Sequence, residues 1–237
     1  MKNLILVTGG DGRFSKVLKD KNKVLKLYFS SKKECDILNI KSLEKIIKRL
    51  KPKIIMHCAG LSRPMHVHDD NISKSIDLNI IGTANVTKMC EKYNLKLIYF
   101  STGYVYSGIK GNYHENDPVK PFNNYGLSKL GGECSVSMYK NSLILRITMT
   151  EKPFAHKQAF SDLKTNFMFH EDLVKLLPKI IKYKGIINVG GESRSVYSFA
   201  KLHNKDVKRI ITNKKTKLPL NQTMNLSKLK KIITKVK

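Results

Sequence analysis

Residues 4–15 read LILVTGGDGRFS, and this stretch decides the fold class. Its apolar run is the right length for a buried strand, and a glycine-rich turn and a helix-like segment follow it. Gly9 permits a tight turn, Gly12 lets the backbone approach a pyrophosphate at the helix N-terminus, and Ser15 stands where a third glycine is usual. The stretch therefore predicts a dinucleotide-binding strand–turn–helix unit, although a plain glycine-rich turn has the same pattern.

The rest of the chain alternates predicted strands with predicted helices. Strands are predicted over residues 3–7, 23–29, 53–58, 95–101, 142–147, 186–189 and 207–212. Helices are predicted over 13–20, 42–50, 72–93, 123–139, 170–183, 196–203 and 225–236. This alternation predicts a parallel sheet with helices on both faces. We therefore predict an α/β fold, in which residues 1–150 form a Rossmann-type doubly wound parallel sheet and residues 151–237 form a small C-terminal substrate cap, interleaved with the last sheet strands.

The charge of the chain bears on its partners. The 237 residues have a formal net charge of +27, yet only 6 of the 45 basic residues are Arg. Because Arg supplies the bidentate fork that reads bases and phosphates, we expect no nucleic-acid partner. The Lys excess reflects either a drift in composition or long-range steering of phosphorylated substrates. A nucleic-acid binder is the alternative, and its affinity would collapse with salt.

Other function classes are excluded by simple patterns. No run of about 18 apolar residues exists, so we expect no membrane span, and residues 1–7 are too short for a signal-peptide core. The cysteines form no CxxC pair and have no histidine at zinc-finger spacing. We expect free thiols, no metal and a cytoplasmic protein. The four cysteines are Cys35, Cys58, Cys90 and Cys134.

The end of the second predicted strand bears on cofactor choice. An NAD-selective site places an acid there to bind the ribose hydroxyls. This chain has Ser31 and Lys32 instead, and hydroxyls with lysines suit a 2′-phosphate. We therefore favour NADP(H), with NAD(H) as the second possibility and an ordinary surface loop as the alternative. Asp36 and Ile37 follow and are expected to meet the adenine.

The chemistry is predicted by a second pattern further along the chain. Thr102 ends a predicted strand, and Tyr125 and Lys129 follow four residues apart, on one face of a predicted helix. An ammonium near the phenol is expected to lower the pKa of Tyr125 from about 10, so that it exchanges a proton at neutral pH. The Thr102 hydroxyl is expected to hold the substrate oxygen beside it.

These motifs together resemble the extended short-chain dehydrogenase/reductases that act on nucleotide sugars, above all the dTDP-4-dehydrorhamnose reductases. The resemblance covers residues 1–150 well and the later segments more weakly. It rests on residues 7–15, 57–60, 79–83, 99–108 and 115–133, and more weakly on 145–148, 187–191, 219–221 and 225–229. It implies an NAD(P)-dependent oxidoreductase in which Thr102, Tyr125 and Lys129 are catalytic.

The motifs and the resemblance together define the expected site. Arg63, just after the third predicted strand, is expected to meet a substrate phosphate or carboxylate. The expected cofactor-binding residues are Gly9, Gly12, Arg13, Phe14, Ser31, Lys32, Asp36, Ile37, Cys58, Ala59, Gly60, Asn79, Ser101, Tyr125 and Lys129. The expected substrate-binding residues are Arg63, Ser101, Thr102, Tyr104, Tyr125 and Thr148.

Two departures from the family pattern limit the functional prediction. Gly103 stands where the reductases usually have Asp, and Leu218 stands where an arginine usually precedes Pro219. We expect an NADP(H)-dependent reductase of a nucleotide-linked 4-keto-(6-deoxy)sugar, forming a homodimer through the helix that bears Tyr125. The alternatives are a nucleotide-sugar epimerase with tightly bound NAD and a non-catalytic dinucleotide-binding regulator.

Overall fold

A computed structural model describes residues 3–154, 156–213 and 218–235. The strands in these ranges are β1 (Ile5–Thr8), β2 (Leu27–Phe29), β3 (Ile54–His57), β4 (Lys96–Thr102), β5 (Ser142–Ile147), β6 (Met149–Thr150), β7 (Gln158–Phe160), β8 (Lys164–Thr165), β9 (Met168–Phe169), β10 (Gly185–Val189), β11 (Arg194–Ser195) and β12 (Lys208–Ile210). The α-helices are α1 (Arg13–Lys21), α2 (Ile40–Leu50), α3 (Val67–Asp70), α4 (Ile72–Ile76), α5 (Gly82–Lys92), α6 (Asn124–Ser137), α7 (His170–Ile180), α8 (Val196–Lys201) and α9 (Ser227–Thr234).

The central feature is a parallel sheet of six strands in the order β2-β1-β3-β4-β5-β10. The strand order reverses at β1, because β2 lies on one side of it and β3 and the later strands lie on the other. Ligands of doubly wound sheets bind at the carboxyl ends of the strands next to such a reversal. The predicted α/β class with a Rossmann-type sheet is confirmed.

Helices cover both faces of this sheet. On one face α1 and α7 bury Leu18 and Leu177 against the strands. On the other face α2, α5 and α6 bury Leu43, Val86 and Val136. Each of these side chains is fully buried, so the apolar faces of the helices and both faces of the sheet form one three-layer core.

The long helix predicted over 72–93 contains a change of winding. Its parts are α4, a π-helical turn at Asp77–Ile81, and α5. At the start of α5, a Cβ on Gly82 would lie 2.5 Å from Cδ1 of Ile37. The helix therefore packs closely on the loop after β2, and the π turn presents Asn79 to the segment after β3.

Several predicted elements are shorter in the structure: for example, the strand predicted over 207–212 covers Lys208–Ile210, and the helix predicted over 170–183 covers His170–Ile180. The strand predicted over 23–29 covers only Leu27–Phe29, because the Asn22 side chain accepts from Leu25 N and donates to Leu25 O in a turn. The helix predicted over 225–236 is α9, and Val236 lies outside the described residues.

The C-terminal third adds three pairs of short strands: β6 with β9, β7 with β12, and β8 with β11. They surround an aromatic cluster that includes Phe154 and Phe169, which are buried, with Phe160 partly buried. In contrast, β10, α7 and α9 pack with the main sheet. The domain boundary at residue 150 stays a prediction, and residues 155, 214–217 and 236–237 of the cap lie outside the described residues.

Within the described ranges, no helix is long and apolar enough to cross a membrane.

Candidate active site

A cavity of about 780 Å³ opens at the carboxyl ends of β1, β3, β4 and β5, next to the reversal in strand order. Thirteen of the predicted site residues line it: Gly12, Arg13, Phe14, Cys58, Ala59, Gly60, Arg63, Ser101, Thr102, Tyr104, Tyr125, Lys129 and Thr148. Six others do not. Gly9, Ser31, Lys32, Asp36 and Ile37 belong to the turn after β1 and the loop after β2, and Asn79 lies behind the segment after β3.

The turn after β1 packs closely against the segment after β3. Gly9 has a φ of +68°, and a Cβ there would lie 2.6 Å from Cα of Ala59. Gly12 is the N-cap of α1 and offers no side-chain cap, and the first turn of this helix carries no acid. The first backbone N–H groups of α1 therefore have no side-chain acceptor at the helix start, which suits the pyrophosphate of a dinucleotide.

The corner after β2 differs from the prediction in one respect. The sequence suggested a corner without an acid, but the Glu34 carboxylate accepts from the backbone N–H of Ser31 at 3.3 Å and from Tyr28 Oη at 2.7 Å. Arg49 also donates to Glu34 at 3.3 Å. The hydrogen bond from Tyr28, with those from Ser31 and Arg49, lowers the pKa of Glu34. The acid is thus already engaged by its neighbours, and Lys32 beside it is exposed.

Asn79 acts on the cavity through the backbone after β3. Its side chain accepts from Leu61 N at 2.8 Å, donates to Leu61 O at 2.9 Å, and donates to Ser128 Oγ at 2.9 Å. A Cβ on Gly60 would lie 2.8 Å from Asn79 Oδ1. Asn79 therefore ties the Gly60–Leu61 backbone to α6, where Tyr125 and Lys129 stand.

His57 and Cys58 at the end of β3 are electrically neutral. Burial lowers the pKa of His57 to about 3, and burial raises the pKa of the Cys58 thiol to about 12. His57 Nδ1 lies 2.8 Å from Thr8 Oγ1 and Nε2 lies 3.2 Å from Thr83 Oγ1. The ring thus joins β1 to α5.

Among the described residues, no group of three or more His, Cys, Asp or Glu could hold a metal ion.

The pKa of Tyr125 shifts in the direction opposite to the prediction. Burial raises the pKa of its phenol to about 12, against opposing interactions with the Thr102 hydroxyl and the charges of Arg63 and Arg13. Burial also lowers the pKa of Lys129 to about 7, against the attraction of Glu133. The expectation that Lys129 lowers the pKa of Tyr125 is therefore wrong for this structure, because desolvation outweighs charge attraction.

Aromatic side chains from β4, the turn after it and α3 contact Lys129 and Tyr125. The Lys129 ammonium lies 4.2 Å from the centre of the Tyr99 ring, a cation–π contact in a buried setting. The Tyr125 ring lies between Tyr104, at 5.9 Å between centroids, and His68, at 5.1 Å. These aromatic contacts fix the phenol at the cavity wall.

The departure at Gly103 has a steric cause. A Cβ at this position would lie 2.8 Å from Thr148 Oγ1 and 3.5 Å from Met224 Sδ. The Thr148 hydroxyl would therefore have to move to admit the Asp that the resembling reductases carry here. An acid at this position plays no part in the chemistry of this chain.

A buried ion pair behind β4 was missed by the sequence analysis. Arg146 donates to Glu133 Oε1 through Nε at 3.0 Å and through the terminal guanidinium nitrogen at 2.6 Å. Ser101 Oγ donates to the other Glu133 oxygen at 2.5 Å, and Arg146 also donates to Tyr106 Oη at 2.8 Å. No local pattern marks this pair, because Glu133 lies on α6 and Arg146 lies on β5.

A second acid, Glu151, was missed at the mouth of the cavity. Its two carboxylate oxygens meet Arg13 and Arg63, each at 3.1 Å. His170 also lines the cavity, and its Nδ1 is buried without a hydrogen-bond partner among the described residues. No local pattern marks Glu151, since Arg13 and Arg63 lie far from it in sequence.

Comparison with known proteins agrees with this arrangement. The sequence model of the family described as "RmlD substrate binding domain" matches residues 1–159. Methionine adenosyltransferase 2 subunit beta of Danio rerio is 34% identical over 115 residues, which are 48% of this chain and 35% of that protein. The dTDP-4-dehydrorhamnose reductase of Mycolicibacterium smegmatis is 28% identical over 143 residues, which are 57% of this chain and 42% of that protein. The chain thus spans less than half the length of these curated relatives.

Solved structures share the whole fold. The dTDP-4-dehydrorhamnose reductase of Bacillus anthracis in complex with NADP superposes with a TM-score of 0.84 at 24% identity, covering 97% of this chain and 91% of that one. The enzyme WbmG of Bordetella bronchiseptica in complex with NAD and UDP gives a TM-score of 0.81 at 18% identity, covering 99% and 89%. At these identities the likeness establishes the fold.

Proposed function

Since this chain belongs to the RmlD substrate binding domain family, we propose that it is an NADP(H)-dependent reductase of a nucleotide-linked 4-keto-(6-deoxy)sugar. One observation carries the proposal: Thr102, Tyr125 and Lys129 line the same cavity as the Gly12 turn. A proton donor and a dinucleotide turn on one cavity are what a carbonyl reduction needs. The NADP in the Bacillus anthracis reductase supports the cofactor, and the NAD in the Bordetella enzyme keeps NAD(H) as the second possibility.

The residues present fit a dinucleotide. The uncapped start of α1 with Gly12 suits the pyrophosphate. Ser31 and Lys32, in the loop after β2, would hold the 2′-phosphate. A bound NADPH supplies the hydride. The remaining proposed cofactor residues are Gly9, Arg13, Phe14, Asp36, Ile37, Cys58, Ala59, Gly60, Asn79, Ser101, Tyr125 and Lys129.

The proton in the proposed reduction comes from Tyr125. Because burial raises the pKa of the phenol to about 12, Tyr125 holds its proton at neutral pH, which is the form that a proton donor needs. The Thr102 hydroxyl, which interacts with the same phenol, is placed to hold the substrate oxygen. A charged Lys129 then stabilises the phenolate that remains after transfer. Arg63, Ser101, Tyr104 and Thr148 line the rest of the proposed substrate site.

The proposal is tested by turnover. Purified protein is mixed with NADPH, or with NADH, and a nucleotide-linked 4-keto-6-deoxyhexose, and absorbance at the nicotinamide band is followed. We expect faster oxidation of NADPH than of NADH, and a loss of at least about 100-fold in kcat for Tyr125→Phe, as for removal of a general acid. Tyr197→Phe, which removes a cap hydroxyl outside the cavity lining, is the matched control and is expected to keep full activity.

The same assay separates the alternatives. If NADPH is not oxidised and a nicotinamide cofactor is released on denaturation, the proposed reductase activity is wrong and an epimerase is supported. A regulator is the second candidate, favoured because several curated relatives have the name of a subunit, methionine adenosyltransferase 2 subunit beta. A regulator would bind NADPH without consuming it, and Tyr125→Phe would leave its biological activity intact.

We also propose that the protein is a cytoplasmic homodimer, with a nucleotide sugar bound between the Rossmann domain (1–150) and the cap (151–237). An apolar stripe supports the dimer. Leu127 and Cys134 are exposed along one side of α6, Met138 is exposed just after its end, and Ile72 and Ile76 are exposed on α4. Two copies could bury these side chains in a helix-to-helix interface. Sedimentation velocity tests this, and Leu127→Glu is expected to shift the protein to the monomer.

A further inference from the structure

Glu151 at the mouth of the cavity joins two arginines that belong to different loops. We propose that Arg13 and Arg63 form one pyrophosphate-binding site and that Glu151 is its internal, exchangeable occupant, which an incoming diphosphate displaces. This inference deepens the proposed function and rests on it for the identity of the ligand. It makes Glu151 a residue that sets affinity, although neither the motifs nor the resemblance marks it.

The geometry is that of a carboxylate shared between two cations. Arg13, the first residue of α1, meets Oε1 of Glu151 at 3.1 Å, and Arg63, in the loop after β3, meets Oε2 at 3.1 Å. Arg13 also donates to Ser62 Oγ at 3.2 Å. One acid therefore uses both oxygens to hold two guanidinium groups at the same side of the cavity.

The cluster has more positive than negative charge. Two guanidinium groups face one carboxylate, so one positive charge is left without a counter-charge within the cluster. His170 lies at the cavity wall and is 6% exposed, and its Nδ1 has no hydrogen-bond partner among the residues that the structure describes. Arg forks bind phosphate oxygens in a bidentate manner, and a diphosphate brings more negative charge than one carboxylate. The site thus fits a pyrophosphate group better than it fits Glu151.

Displacing Glu151 costs little free energy, because its two ion pairs with Arg13 and Arg63 are partly exposed to water. The side chains of Arg13, Arg63 and Glu151 are 48%, 35% and 27% exposed. Ion pairs at such exposure add little stability, since water already solvates each charge. A diphosphate that takes both arginines therefore breaks two weak contacts, and the freed carboxylate, which would repel it, moves out to solvent.

The test measures affinity and needs no turnover. Inorganic pyrophosphate is titrated calorimetrically, at fixed ionic strength, into wild type, Glu151→Gln and the control Glu91→Gln. Glu91 is an exposed acid on α5, so its variant changes the net charge equally but lies away from the cavity. We expect Glu151→Gln to bind pyrophosphate about threefold tighter or more, because two weak ion pairs and one repulsion are removed. Glu91→Gln is expected to match wild type.

Two further arms sharpen the result. Arg63→Gln is expected to bind pyrophosphate more weakly than wild type. Titrations with NADPH and with UDP show which diphosphate displaces Glu151, and tighter binding of either by Glu151→Gln supports the exchange. Equal or weaker binding of pyrophosphate by Glu151→Gln overturns it. If Glu151→Gln binds pyrophosphate more tightly while the wild type does not oxidise NADPH, the proposed reductase activity is wrong and the exchangeable pyrophosphate site is supported.

Discussion

Two glutamate–arginine clusters differ in their access to water: a buried cluster of Glu133 and Arg146 behind β4, and an outer cluster of Glu151, Arg13 and Arg63 at the cavity mouth. Behind β4, Glu133 and Arg146 have side chains only 3% and 5% exposed, and they meet at 2.6 Å. At the cavity mouth, Glu151 meets Arg13 and Arg63 with side chains about a quarter to a half exposed. The same residue types thus form a fixed pair in one place and an exchangeable one in the other, because burial decides the cost of separating the charges.

The buried cluster also has more partners. Ser101 and Tyr106 add hydrogen bonds to the two charged groups, and Asn188 accepts from Tyr106 Oη at 2.8 Å. The network therefore connects the ends of β4, β5 and β10 directly behind Thr102. These hydrogen bonds hold the carboxyl end of β4 against β5 and β10.

The largest expected effect comes from breaking the buried pair. Arg146→Met leaves the Glu133 carboxylate buried without its cation, so we expect the free energy of unfolding to fall by about 3–5 kcal/mol. Urea unfolding followed by circular dichroism measures this. The double variant Glu133→Gln/Arg146→Met is the control, and it is expected to lose less than the sum of the two single variants. If the free energy of unfolding of Arg146→Met falls by less than about 1 kcal/mol, the buried pair stabilises the fold no more than a partly exposed ion pair does.

Lys129 gives a second, intermediate effect, since it is a buried cation paired with no carboxylate among the ion pairs of the described residues. Burial lowers its pKa from 10.5 to about 7, so the unfolded chain binds the proton more strongly than the folded one. The cost of burial is fully present below pH 7 and disappears as the pH rises toward 10.5. We expect Lys129→Met to be more stable than wild type by about 2 kcal/mol or more at pH 6.

Urea unfolding of wild type and Lys129→Met between pH 6 and pH 10 checks this sign. The advantage of the variant is expected to shrink steadily over this range, since wild type gains stability as Lys129 loses its proton in the folded state. A difference that stays constant with pH would mean that the ammonium is solvated rather than buried.

The smallest expected effect is on the outer cluster. Glu151→Gln is expected to change the free energy of unfolding by no more than about 1 kcal/mol, because both ion pairs are partly exposed. Thermal unfolding at low and at high salt measures this, and high salt should reduce the difference further. A loss comparable to that of Arg146→Met would show that Glu151 holds the fold, and the contrast between the two clusters would not hold.

The sequence predicted those features that depend on neighbours along the chain. The Gly9–Gly12 turn follows from short spacing after an apolar run, and Tyr125 with Lys129 follows from helix periodicity. The Rossmann-type sheet follows from the alternation of such local segments, and the structure confirms it.

The features that the sequence did not predict depend on contacts across the fold. Glu151 meets Arg63 from 88 residues away, and Arg146 reaches Glu133 only once β5 and α6 have packed. The pKa of Tyr125 was predicted in the wrong direction, because spacing shows the nearby charge but not the desolvation that outweighs it. The place of Glu34 at the β2 corner likewise needed the turn geometry of residues 31–34.

The proposed reduction is tested most directly by a transfer experiment with NADPH that carries deuterium at both hydrogen positions of the reactive nicotinamide carbon. Wild type is incubated with this cofactor and a nucleotide-linked 4-keto-6-deoxyhexose, and the sugar product is analysed by mass spectrometry. We expect a product one mass unit heavier than the product formed with unlabelled NADPH, with the deuterium at C4 of the sugar, and at least about 100-fold slower formation of it by Tyr125→Phe. A product without deuterium, or unchanged substrate with wild type, would contradict the reductase.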